Sequence, residues 1–264
     1  MGLFSGAKAQ IAGQKALRTH ISANQMANEG KREAARAKYA EAYRLYEQAM
    51  KEGSLAPNVH QGFAVLLLRL GEFEKAHDLM QDMRTLKAMT EDDWFDLRLN
   101  YSIYLWRTGS LDDAIDTIRR AAKIKMNASI YTTLGMYLID RARLTGDFSE
   151  VKALNDAAMD YDDEDAGILD NLGATYEAMM EKVREAGDEA QARAYRASAE
   201  ECYVKAHTAK PRQITTIYAL AKLRHEDGDD AAARELLSNT DDLYYHAICP
   251  VSEAMMEALK REIG

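Results

Sequence analysis

The chain has 264 residues, enough for one large or two small domains, so core size does not limit the fold. Lys and Arg number 34 against 43 Asp and Glu, and the resulting charge of −9 speaks against a nucleic-acid binder. Two cysteines, Cys202 and Cys249, are too few for a disulfide framework and suit a reducing, cytoplasmic setting; no apolar run of about 18 residues offers a membrane span or a membrane partner.

Residues 1–15 form an N-terminal extension or cap that either lengthens the first helix or frays. The opening Met1-Gly2-Leu3-Phe4-Ser5-Gly6 fails as a myristoylation signal, because Gly6 stands where Ser or Thr is needed, and it reads as a disordered start. From residue 16 to residue 248 one form recurs: an amphipathic helix, a Gly turn, then a second helix with a small apolar residue facing inward. The turn glycines are Gly30, Gly71, Gly109, Gly146 and Gly228. Five residues after them stand Ala35, Ala76, Ala114, Val151 and Ala233. Seven residues before four of them stand Ala23, Ala64, Ser102 and Ala221, and small side chains at both places let antiparallel helices approach. In the fourth unit the small residue is Gly135, about one helical turn further from its Gly146. The acidic run Asp160 to Asp165 lacks the Gly and closing Glu of an EF-hand loop and instead suits the N-terminal dipole of the next helix.

A fifth, longer unit follows over about 168–210. Gly173 lies fourteen residues before Gly187 and Ala199 twelve after it, so each arm gains about two turns and the pair stays matched. The segment Leu243 to Ile248 is ambiguous between helix and extended chain. After Pro250, Met255, Met256 and Leu259 fall on one side of a helix with charges opposite, as a C-terminal cap over residues 249–264 requires.

These units resemble the tetratricopeptide repeat (TPR) family. The residues that carry the likeness are Tyr131, Leu134, Gly135 and Leu138 in one unit, and Leu169, Leu172, Gly173, Tyr176, Ala199, Tyr203, Ala206 and Pro211 in another. The likeness spans about residues 16–240 as six helix pairs, although the turn glycines are 41, 38 and 37 apart, longer than the family's 34. It implies an all-α fold: an α-solenoid of about six helix-turn-helix repeats closed by a capping helix. It also implies that first helices line a concave groove, where Val65, Leu68, Leu99, Ile103, Trp106, Met136, Ile139, Lys222 and His225 would face a ligand. The Lys residues of the family's carboxylate clamp are missing here.

An enzyme needs convergent polar groups, and none are legible. The six histidines (His20, His60, His77, His207, His225, His246) show no paired-ligand spacing, and the glycines fall singly at turns rather than in a phosphate loop. We therefore expect no catalytic residues, no metal and no cofactor. Arg119, Arg120, Lys123 and Lys125 form a basic patch that reads first as a solvated face. The function expected is a protein–protein interaction scaffold or adaptor holding a partner helix or peptide in the groove. The alternative is a regulatory sensor for a small peptide or ligand.

Overall fold

The computed structural model describes residues 3–53, 55–86 and 89–264, and among them every regular element is helical. The helices are α1 (Leu3–Asn28), α2 (Arg32–Glu52), α3 (Pro57–Leu70), α4 (Phe73–Met83), α5 (Glu91–Arg107), α6 (Leu111–Ala122) and α7 (Ala128–Thr145). There follow α8 (Ser149–Tyr161), α9 (Ala166–Glu185), α10 (Glu189–Ala209), α11 (Ile214–Glu226), α12 (Asp230–Leu237) and α13 (Glu253–Ile263). They divide between two compact units. The first comprises residues 1–110 and 241–249, the second residues 111–240 and 250–264.

The turn glycines Gly30, Gly71, Gly109, Gly146, Gly187 and Gly228 all have φ between 76 and 89°. At Gly71 the glycine N–H donates to the Leu68 carbonyl at 3.1 Å and Glu72 N–H to that of Leu67 at 2.9 Å, closing the last turn. Only glycine takes this left-handed backbone without a side-chain clash, so one residue type marks each reversal. The small residues do what their spacing requires: Ala23, Ala35, Ala64, Ala76, Ser102, Ala114, Ala221 and Ala233 have no exposed surface.

In unit 1, α1 packs along α2 and α3, and α3 also meets α4 and α5. Met1 and Gly2 lie outside the described residues, but from Leu3 the chain lengthens the first helix, one of the two alternatives for residues 1–15, whereas the opening residues were expected to be disordered. Ala9 and Ala16 are buried, and a Cβ at Gly13 would stand 2.8 Å from Val59 Cγ1, so missing side chains let α1 reach the core. Residues 241–249 form no helix. They return to unit 1 as an irregular strap: Ala247 N–H donates to the Arg69 carbonyl at 2.9 Å, and Tyr244 and Ile248 pack on the core.

In unit 2 the long hairpin is plain: α9 has 20 residues and α10 has 21, against 13 and 8 for α11 and α12. Its tip at Ala186-Gly187-Asp188 is exposed. Asp165 starts α9, its Oδ1 accepting from Gly167 and Ile168 N–H at 2.9 and 3.0 Å, so the acidic run expected to meet the helix dipole also supplies the N-cap. The Tyr203 ring lies so close on Gly173 that a Cβ there would stand 2.8 Å from it. Asn155, where an aromatic would pack in the family pattern, is buried and donates to Thr175 Oγ1 at 2.9 Å.

Candidate functional site

The expected groove residues fall into one set in each unit. In unit 1, α5 starts at a reciprocal cap, Thr90 with Asp93, and this fixes the register of Leu99, Ile103 and Trp106 at i, i+4 and i+7 on one face. All three are half-buried, as is Val65 on neighbouring α3, so each keeps apolar surface in water. The Arg107 guanidinium lies 5.1 Å from the centroid of the Trp106 ring. Leu68 is different: at 1 % exposure it is core and offers no surface to a ligand. Helix α3 meets α1, α2, α4 and α5, so only a narrow face of it stays open.

In unit 2, Met136 is half-buried, whereas Ile139 at 3 % exposure is again core, because α7 packs against α6, α8 and α9. Lys222 and His225 are already engaged. Lys222 Nζ donates to Glu177 Oε1 at 2.9 Å, and the Tyr203 hydroxyl donates to the other oxygen, Oε2, at 2.9 Å. The carboxylate of Glu181 extends this network, 3.5 Å from Arg143 and 4.0 Å from Lys222. His225 Nδ1 meets Asp230 Oδ1 at 2.6 Å, and this hydrogen bond raises the imidazole pKa. Next to them, Asp170 accepts from Thr216 Oγ1 at 2.5 Å, while burial pushes its carboxyl pKa upward. The expected polar end is thus an internally satisfied charge network.

A cleft of about 530 Å³ that no sequence motif announces lies in unit 2, between α10, α11 and α12. Val204, Pro211, Ile217, Leu220 and Leu236 contribute apolar walls, and Arg212 and Arg224 line it as well. Its one legible sign is Val204, an apolar residue left 43 % exposed on α10. The basic patch is partly neutralised, because Arg119 pairs with Glu150 and lies 3.7 Å from Asp116. Cys202 is chemically quiet, its thiol pushed up to about 11 by burial. No described helix is long and apolar enough to cross a membrane.

No family model matches the sequence, and neither does any curated protein. Solved structures do resemble the fold. Human IFIT1, as a dimer with PPP-AAAA, is 16 % identical, with a TM-score of 0.60 over 86 % of this chain and 49 % of IFIT1. The chain thus spans about half the length of IFIT1. TTC0263, a thermophilic TPR protein of Thermus thermophilus, is 18 % identical, with a TM-score of 0.56 over 80 % of this chain and 98 % of that one. The fold is an all-α solenoid of TPR-like helix pairs. The same comparison corrects the exclusion of nucleic acid. IFIT1 structures that resemble this chain hold PPP-AAAA, Gppp-AAAA or m7Gppp-AAAA, so the expectation of no nucleic-acid partner does not stand. A net charge is a sum over the whole surface and hides local excess. Here residues 1–52 carry nine Lys and Arg against five Glu within a chain of net charge −9.

Proposed function

We propose that this chain is a protein-binding scaffold, and that unit 1 takes a partner helix or peptide along α3 and α5. The observation that carries this reading is the half-buried apolar row of Val65, Leu99, Ile103 and Trp106. Such a row costs free energy while it faces water, and covering it with a partner recovers that cost. A helix-in-groove partner presenting apolar residues at i, i+3 and i+7 suits its spacing. Within this row Trp106 is the anchor, since aromatic side chains supply large contact area with few rotatable bonds.

The test compares the wild-type chain with Trp106→Ala for capture of cellular proteins and for binding of the triphosphate oligonucleotide PPP-AAAA. Capture of a specific protein should weaken by about 2 kcal/mol, near thirtyfold, while the melting temperature moves by only a few degrees. A mutant that melts far lower makes Trp106 core and removes the reading. Tight binding of the oligonucleotide with no specific protein captured replaces it with a nucleic-acid function.

A further inference from the structure

Unit 1 contains a partly buried cation with no anionic partner among the described residues. Arg69, near the end of α3, directs its guanidinium between α1, α2 and the strap of residues 241–249. Its Nη1 donates to Asn24 Oδ1, an oxygen that also accepts from the Tyr39 hydroxyl at 2.8 Å. Its Nε is buried and makes no hydrogen bond. Among the described residues no carboxylate pairs with it, and burial lowers its pKa. Burying a guanidinium against neutral partners alone is expensive, and proteins ordinarily offset that cost with a negative charge.

The surroundings point the same way. His20 Nε2 and His246 Nδ1 are buried without hydrogen-bond partners, in the same cluster of rings. Tyr39 is 5.9 Å from His20, 4.9 Å from Tyr244 and 5.7 Å from His246, centroid to centroid. Tyr244 and His246 are 4.8 Å apart. Three unsatisfied nitrogens thus lie in one cluster on which positive charges, those of Arg69, Arg32 and Arg36, act, and buried polar atoms of this kind call for a partner.

We propose that unit 1 holds a single compact monovalent anion against the Arg69 guanidinium, enclosed by His20, Tyr39, Tyr244 and His246. We take the ion to be compact, such as chloride or formate, because the surrounding rings are in contact with one another and leave no room for a bulky one. The anion neutralises Arg69 and accepts from its Nε, and the imidazoles complete the shell. The second nitrogen of His20 is bonded to the Gly62 backbone, so Nε2 donates only when the ring is protonated. Anion entry therefore draws a proton onto His20. The groups facing that ring are Arg69, Tyr39, Tyr46 and, through the strap, His246. The strap forms the lid, since Ala247 is bonded to the Arg69 backbone itself.

The test is a histidine-imidazole NMR titration of the full chain with sodium formate or chloride, set against sodium gluconate at equal ionic strength. Formate and chloride should give saturable shifts for His20 and His246, and should raise the His20 titration midpoint by about one pH unit or more. Gluconate should give neither. Arg69→Met should abolish the response and melt higher than wild type in gluconate, because it removes an uncompensated buried charge. If Arg69→Met does not fold, the contrast between formate and gluconate on the wild-type chain decides alone. Equal effects of all three anions overturn the proposal. So does the absence of any saturable shift, which would mean that ordered water alone fills the site.

Discussion

Mild acid should weaken unit 1 through two imidazoles, one buried and one half-buried. Burial, with Arg69 beside it, pushes the pKa of His20 from 6.5 to about 4, and the same two causes push that of His246 to about 3. Both rings are thus neutral in the folded chain without a bound anion, while in the unfolded chain they take up protons below about pH 6.5. Their contribution to stability is complete above that value and is lost as pH falls through the folded-state values. Linkage gives a loss of about 2 kcal/mol from His20 between pH 7.5 and 5, and somewhat less from His246, which is only half-buried. His225 titrates in the opposite sense, because its raised pKa adds stability below pH 6.5 that is lost as pH rises. The assay is urea unfolding by circular dichroism at several values between pH 7.5 and 5, for the wild type and His246→Phe. The Phe variant keeps a ring against Tyr39 and removes one titrating group, so its stability should fall less on acidification. Equal pH slopes in the two proteins, or a wild type more stable at pH 5, would refute the reasoning.

In unit 2, Tyr203→Phe removes one of the two donors to the nearly buried Glu177 carboxylate and should destabilise the chain by about 2 kcal/mol in urea; a change under about 0.5 kcal/mol would show the carboxylate to be satisfied from elsewhere. Gly173→Ala places a Cβ against the Tyr203 ring and should cost about 1–3 kcal/mol, whereas added stability would mean that the ring moves freely. Limited trypsin digestion should cut first at the tip of the long hairpin, near exposed Arg184, and a first cut inside another helix pair would contradict the exposure of that tip.

The hairpins were legible because backbone geometry forces a choice of residue. A left-handed turn wants glycine, and a close helix crossing wants a small side chain, so Gly30 with Ala23 and Ala35 announce a reversal without any knowledge of neighbours. The matched arms around Gly187 were legible for the same reason. Exposure was less so. Val65 and Leu68 are both apolar on one helix, yet only the packing of neighbouring helices on α3 decides that Leu68 is enclosed. Glu177 finds Lys222 forty-five residues later, and no local period announces such a pair. The strap was the least legible element, since its register is set by residues far upstream on α1, α2 and α3. Net charge was a poor guide to partners because it sums a basic first hairpin into an acidic whole.

The strap also sets an order of events during synthesis. Ala247, bonded to Arg69, is 178 positions downstream of it, so the first unit emerges from the ribosome with its last piece still unmade. Roughly 130 residues of the second unit are translated in between. Local contacts within each hairpin form early, and the long-range closure comes last. Collapse of the inserted second unit shortens the loop that must be closed, which lowers the entropic barrier to that final step. The nascent first unit therefore waits with Tyr39 and Arg69 uncovered, and it is during this interval that a chaperone, or a stalled or truncated message, would find the chain most open to capture and degradation.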